Sequence, residues 1–338
     1  MNPADLPLDL DSLLAGLRPW IECESPTFDV AAVNRMMDFA ASELVAAGAS
    51  VTRFPGPPGL GDCLRGDFPH PLQGEPGILM MSHLDTVHPV GTLKTLPFRR
   101  DGWRCYGPGI LDMKGGAYAG LQAVIALAKA GIETPLPVSV LFTSDEEIGS
   151  PGTRELILEQ ARRHRFILVP EPGRPGNGVV TGRYAIARFN LLAEGRPSHA
   201  GSQLKNGRSA ISMMAQQLLA IEAMTDDDCT FSVGVIQGGQ WVNCVPTTCR
   251  AEALSMAKRQ ADLDRGVERM LALGVQNADG TRFTVTRGVT RPVWEPSEAT
   301  LKLFGLAREV AQELGWSLEH DSAGGGSDAN FTGAEGLA

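Results

Sequence analysis

Ile78-Leu79-Met80-Met81-Ser82-His83-Leu84-Asp85 carries the pattern on which the fold turns. An apolar run too short for a helix, flanked by glycine and proline, predicts a buried strand, and a histidine and an aspartate follow it. The same grammar recurs along the chain. Val138-Ser139-Val140-Leu141-Phe142 leads into Asp145-Glu146-Glu147, and Phe166-Ile167-Leu168-Val169 leads into Glu171. Asp112-Met113-Lys114-Gly115-Gly116 sits between the turn Gly107-Pro108-Gly109 and an expected helix over 117–129 that ends at Gly131. Open α/β sheets bind ligands beyond their strand ends. Carboxylates and a histidine gathered there would repel or remain desolvated without a cation, so the pattern asks for a metal.

Outward from these segments, strands alternating with helices predict a mostly parallel sheet. Residues 30–47 carry Val33, Met36, Met37, Ala40, Leu44 and Val45 at helical spacing, closed by Gly48. Val51-Thr52-Arg53-Phe54 reads as a strand before the Pro/Gly-rich loop 55–61. The character changes near residue 182. From there to 294 the expected order is strand 185–192, helix 209–223, strands 231–237 and 247–255, helix 260–273 and strand 282–287. That is a small α+β sandwich inserted into a domain made of residues 1–181 and 295–338.

At 338 residues, 43% of them hydrophobic, two domains with sizeable cores are expected. A net charge of −9 argues against nucleic acid or an anionic membrane as partner. No apolar run reaches the ~18 residues of a membrane span. The start, Met1-Asn2-Pro3-Ala4-Asp5, lacks the features of a signal peptide, and leucines 6, 8, 10, 13, 14 and 17 suit an amphipathic helix. Six cysteines without a CxxC spacing read as free thiols, which places the protein in the cytoplasm.

Five ordered motifs then make a specific resemblance: His83-Leu84-Asp85-Thr86-Val87, Gly107 through Gly116, Thr143 through Ser150, Glu171-Pro172 and Ser198-His199-Ala200-Gly201. Together they resemble the M20 family of metallopeptidases, in particular its carboxypeptidase G2 (glutamate carboxypeptidase) branch and the related acetylornithine and succinyl-diaminopimelate deacylases. The resemblance implies a phosphorylase/hydrolase-like α/β catalytic domain of the di-zinc exopeptidases, with an inserted α+β, ferredoxin-like lid through which two chains dimerise. It implies two Zn2+ per subunit, with Co2+ or Mn2+ as substitutes, and a small peptide or N-acyl amino acid as substrate.

Residue by residue, His83 alone would read as a buried histidine satisfied by a carbonyl. Asp85, two positions on, suits the acceptor that fixes the tautomer of a metal-ligating ring. Asp112 alone would read as a helix N-cap; the resemblance makes it the carboxylate bridging both ions, with a cis Asp112–Met113 peptide. Glu146 and Glu147 diverge if the backbone there is extended. By family position Glu147 ligates metal, Glu146 is the general base, and Glu171 ligates the second ion. His199 is implied to stabilise an oxyanion in the partner's site, and Asn243 to lie near the substrate. Arg291 is implied to contact the substrate carboxylate, and Gly325 and Gly326 belong to a glycine loop that lets the backbone approach closely.

Two departures stand out. Met256 occupies a position where an arginine often binds a terminal carboxylate, which weakens the case for C-terminal glutamate. The family's last zinc-ligating histidine, after the glycine loop, has no counterpart before Ala338. A chain short by some tens of residues, with one depleted metal site, is therefore expected. The competing readings are a catalytically impaired homologue serving as a dimeric binding module, and a di-metal aminopeptidase.

Overall fold

In a computed structural model, which describes residues 6–337, the chain begins with α1 (Leu10–Glu22), opened by Asp9 accepting the Ser12 N–H at 2.8 Å. Asp9 is followed by a helix that buries Leu17, Trp20 and Ile21. Asp29 caps α2 (Val30–Ala46) in the same way, and that helix stops just before Gly48, which takes the positive φ of 87° that glycine tolerates. There follow β1 (Ser50–Phe54), β2 (Cys63–Asp67), β3 (Gly77–His83), a small hairpin of β4 (Arg99–Asp101) and β5 (Arg104–Tyr106), α3 (Gly115–Lys129), β6 (Val138–Thr143), α4 (Arg154–Ala161) and β7 (His164–Leu168).

The main sheet has the order β1-β2-β6-β3-β7. β3 runs parallel to both β6 and β7, whereas β2 is antiparallel to β6 and β1 to β2. The sheet is therefore mixed rather than mostly parallel. The loop 55–61 is too short for a crossover, so β2 returns antiparallel beside β1. Alternation along the central strands builds two cores. Met80, Val140 and Phe142 pack with Trp20, Met36, Leu44 and Leu121 of α1, α2 and α3. Leu79, Met81 and Leu141 face the other way, onto Ile157 and Ala161 of α4 and Phe331 near the C-terminus. Helices on both faces explain why these strands read as unbroken apolar runs. The parallel register pairs His83 with Thr143, so the residues following β3 and β6 emerge at one edge of the sheet.

The later elements are β8 (Gly178–Arg183), β9 (Ala185–Glu194), α5 (Ala210–Glu222), β10 (Cys229–Gly238), β11 (Thr248–Ala257), α6 (Gln260–Leu271), β12 (Val275–Gln276), β13 (Arg282–Arg291), α7 (Glu298–Glu313), β14 (Glu319–Ala323) and α8 (Ala329–Ala334). Two compact units result. One runs to Thr181 and takes in Pro296–Asp321 and the stretch from Ser327 on; the other comprises Gly182–Glu295 and Ser322–Gly326. The second holds an antiparallel sheet, β10-β11-β9-β13-β12. Its βαββαβ order is the ferredoxin-like arrangement. Alternate residues of β9 (Ala185, Ala187, Phe189, Leu191, Ala193) form a core with Met214 and Ile221 of α5 and Leu263 and Met270 of α6. The sequence suggests that all of 295–338 belongs with the first unit, but Ser322–Gly326 packs with the second. Tyr184 N donates to the Ala323 carbonyl at 3.0 Å, and Arg183 Nη1 to the Gly326 carbonyl at 2.9 Å. No helix among the described residues is long and apolar enough to cross a membrane.

Candidate active site

His83 closes β3 and is 1% exposed, so its ring has little water to satisfy it. Nδ1 lies 3.0 Å from the Asp85 carbonyl oxygen and 3.4 Å from Asp85 Oδ1. Nε2 points the other way, 3.0 Å from Asp112 Oδ1 and 3.9 Å from Glu146 Oε2. Asp85 is wholly buried and acts as a hub. Its carboxylate accepts from Thr27 Oγ1 at 2.7 Å, from Glu146 N at 3.2 Å and from Glu147 N at 3.3 Å. One side chain thus orients the histidine ring and fastens the acidic turn after β6. Thr27 carries no sequence signal of this role, because its partner lies 58 residues away.

Asp112 does not cap α3; Lys114 holds that position. The Asp112–Met113 peptide is cis, and the Asp112 side chain is 56% exposed against 1% for His83. Two contacts fix this turn. The Met113 sulfur accepts the His83 N–H at 3.3 Å, and the buried Lys114 ammonium donates to the carbonyls of Trp20 at 3.2 Å and Cys23 at 2.7 Å. Burial lowers the Lys114 ammonium to about 8. Gly116 has a steric reason: a Cβ there would lie 1.8 Å from the Pro170 carbonyl oxygen. The absence of that Cβ lets the segment carrying Glu171 lie against the Asp112 turn.

Glu146 and Glu147 sit on a short 3-10 turn (Glu146–Ile148) rather than on extended backbone. Successive side chains on such a turn point about 120° apart, which separates the pair as alternation would. Burial pushes the Glu147 carboxyl up to about 7; the charges of Asp112 and Asp85 add to this and that of His83 opposes it. Burial works against a charged His83, but the Asp112 and Asp85 carboxylates outweigh it and hold the ring well above its ordinary value. Burial likewise raises Asp145 to about 6.

The donor atoms of His83, Asp112 and Glu147 all lie within 4.8 Å of one another. A nitrogen and two carboxylates, converging and short of positive charge, form a set suited to a divalent ion such as zinc. The donor set fits the metal that the motifs imply. Glu171 lies outside this trio, half-buried and one residue past Pro170.

The remaining candidates lie in the second unit, in two groups. His199 and Asn243 share one strip, where Ala200 N donates to the Asn243 carbonyl at 3.0 Å and Val245 N to the Ser198 carbonyl at 2.9 Å. His199 Nδ1 accepts the N–H groups of Gly201 at 3.1 Å and Ser202 at 3.2 Å. A neutral ring held this way carries its proton on Nε2, which makes it a donor. Arg291, at the end of β13, is buried beside the glycine segment, and a Cβ on Gly326 would meet its Cδ at 2.6 Å. Gly325 adopts a positive φ of 87° with open space where a Cβ would point.

Comparison with known proteins gives the family. Carboxypeptidase G2 from Pseudomonas sp. (strain RS-16) is 31% identical over 337 residues, covering 96% of this chain and 79% of that protein. The uncharacterised protein YqjE of Bacillus subtilis is 26% identical over 268 residues, covering 77% of this chain and 70% of that protein. Among solved structures, a tripeptidase from Staphylococcus aureus superposes with a TM-score of 0.78 at 22% identity, covering 98% of this chain and 88% of that one. An M20 family metallo-carboxypeptidase from Sulfolobus solfataricus gives a TM-score of 0.74 at 14% identity, covering 98% of this chain and 90% of that one. At these identities the two structures speak for the fold alone. Residues 79–338 match peptidase family M20/M25/M40, and with the carboxypeptidase G2 relationship this shows that the chain belongs to that family of hydrolases acting on peptide bonds.

Proposed function

We propose that this chain is a metal-dependent carboxypeptidase or N-acyl-amino-acid deacylase, cleaving an amide bond beside a carboxylate. The observation that carries the reading is the convergence of His83, Asp112 and Glu147 within 4.8 Å, with Glu146 Oε2 alongside at 3.9 Å from His83 Nε2. His83, Asp112, Glu147 and Glu171 would hold the metal, with zinc as the candidate and cobalt or manganese as substitutes. As the resemblance implies, His83 and Glu171 would serve one ion, Glu147 the other, and Asp112 both. A bound ion would polarise the scissile carbonyl and lower the pKa of an attacking water.

The protein's own groups do the rest. Glu146 takes the proton from the attacking water and delivers it to the leaving nitrogen. Asp85 keeps His83 Nε2 turned toward Asp112. His199 offers its Nε2–H to the developing oxyanion, acting across a dimer formed through the second unit. Asn243, Arg291 and the Gly325-Gly326 backbone orient the substrate, Arg291 through its carboxylate. The carboxypeptidase G2 relationship favours this reading over an aminopeptidase, and the presence of Glu146 favours an enzyme over a silent binding module.

The test is a panel of N-acyl amino acids and dipeptides assayed with zinc, cobalt or manganese. Hydrolysis of members with a free carboxylate beside the scissile amide, and not of their carboxamide counterparts, is expected. A strict requirement for a free α-amino group would overturn the reading in favour of an aminopeptidase.

A further inference from the structure

The acidic turn between β6 and α4 is held from three sides. Asp85 takes the N–H groups of Glu146 and Glu147 in its middle. The Asp145 carboxylate accepts from Gly152 N at 2.6 Å and from the Thr153 hydroxyl. The third holder comes from the far end of the chain. Asp328 is 3% exposed and stands at the start of α8, yet its side chain does not cap that helix. Instead Oδ2 accepts from Thr143 Oγ1 at 3.0 Å and Oδ1 accepts from the Ser150 hydroxyl. Thr143 ends β6, three residues before Glu146, and Ser150 lies three residues after Glu147. One buried carboxylate therefore brackets the turn at both ends.

Ser150 supplies an independent sign of constraint. Its φ is 60°, in the left-handed region that residues other than glycine seldom adopt. Such a backbone persists only where its surroundings over-determine it, and such sites concentrate around functional turns. Here the surroundings are visible. Ser150 N donates to the Asp145 carbonyl at 2.9 Å, its carbonyl accepts Arg154 N at 3.1 Å, and its hydroxyl is given to Asp328.

We infer that Asp328 is a positioning residue for the Glu146–Glu147 turn, tying both of its ends so that the two glutamates stay in place beside His83 and Asp112. The inference rests on the reading of those glutamates given under the proposed function. A carboxylate serving stability alone would behave differently. Its loss would lower the melting temperature and leave each folded molecule as competent as before.

The experiment uses the full chain, four single variants, Asp328→Ala, Asp328→Asn, Ser150→Ala and Thr143→Val, and the double variant of Asp328→Ala with Ser150→Ala. Cobalt affinity is measured by chelator competition, and kcat and KM on the best substrate of the panel. Groups that orient metal-binding side chains typically contribute 10–100-fold, so Asp328→Ala should weaken cobalt binding and lower kcat by about that much, with KM within about threefold. Asp328→Asn keeps the shape and one acceptor while both hydroxyls can turn, so it should recover most of the loss. Adding Ser150→Ala to Asp328→Ala should cost nothing further, because both remove the same tie. Full cobalt affinity and full kcat in Asp328→Ala, with only a lower melting temperature, would overturn the inference. Should that variant fail to fold, Ser150→Ala and Thr143→Val keep the carboxylate and decide by the same two readouts. A wild-type chain that binds cobalt but hydrolyses nothing refutes the proposed function, and the cobalt series still judges Asp328. A wild-type chain that binds no cobalt overturns both.

Discussion

The two units hold their candidate residues in opposite ways. In the first, the histidine and the acidic turn are gripped: His83 lies between Asp85 and Asp112, and the turn is fastened by Asp85, Asp145 and Asp328. In the second, His199 and Asn243 ride on exposed loop backbone with mostly main-chain contacts around them, and only Arg291, at the end of β13, is buried. Rigid placement suits groups whose chemistry depends on sub-ångström geometry. Loop placement suits groups that must meet a variable substrate, and loops are where such residues concentrate. A substitution in the first unit should therefore act on chemistry or metal, whereas one in the second should act on binding or assembly.

The largest effect should come from Glu146. Glu146→Gln is expected to leave metal content intact while kcat falls by at least about 100-fold, the scale of a lost general base. Glu147→Ala should do the reverse and lower metal content first. Metal analysis beside kinetics checks both, and a metal-free Glu146 variant with a metal-replete Glu147 variant would mean that the two roles are exchanged.

Next comes Asp85. Its carboxylate both orients His83 and holds two backbone N–H groups, so Asp85→Ala should weaken metal affinity about 10–100-fold. Competition with a chelator measures this. Unchanged affinity would show that the Asp85 carbonyl, 3.0 Å from Nδ1, suffices to hold the ring.

The same contrast shows what can be read from sequence. The strand-end positions of His83 and Glu147 were legible because an apolar run buried on both faces must stop where polar residues begin, whereas the run before Glu171 belongs to a half-buried edge strand. The antiparallel return of β2 was not, since a short strand beginning Cys63-Leu64-Arg65 has little periodicity to declare it. Nor was the support around the turn. Thr27 reaches Asp85 across 58 residues, and Asp328 reaches Ser150 across 178. Pairings at that range leave no periodic mark. The sequence reads Gly324 through Asp328 as a close-approach loop, yet the placement of Ser322–Gly326 with the second unit depends on Arg183 and Tyr184, which no local pattern flags.

His199 tests the second unit at intermediate strength. If it acts in the partner's site, inactive His199→Ala and Glu146→Ala chains mixed under exchange should regain about a quarter of wild-type activity, since half of the dimers are hybrids with one intact site. No recovery, with exchange proven by mass, would confine His199 to its own chain or exclude it from the reaction.

The smallest effects come from two glycines, one in each unit, and they bring the comparison down to a single methyl group. At Gly116 the added Cβ meets backbone, the Pro170 carbonyl oxygen at 1.8 Å, and neither partner can rotate away. Alanine would gain about 1 kcal/mol of helix propensity in α3, but overpacking of a fixed contact costs about 1–3 kcal/mol, so Gly116→Ala should destabilise and disturb the segment that bears Glu171. At Gly326 the Cβ meets the Arg291 side chain, Cδ at 2.6 Å and Nε at 2.8 Å. An arginine stem has rotatable bonds and can shift where backbone cannot, so the loss of stability should be smaller than at Gly116. Arg291 would give way by leaving the orientation proposed to serve a substrate carboxylate. Gly326→Ala should therefore raise KM for carboxylate-bearing substrates several-fold, while kcat and metal affinity hold. Thermal melts beside kinetics separate the two variants, and a Gly326→Ala chain that loses metal rather than substrate affinity would break the division of roles between the two units.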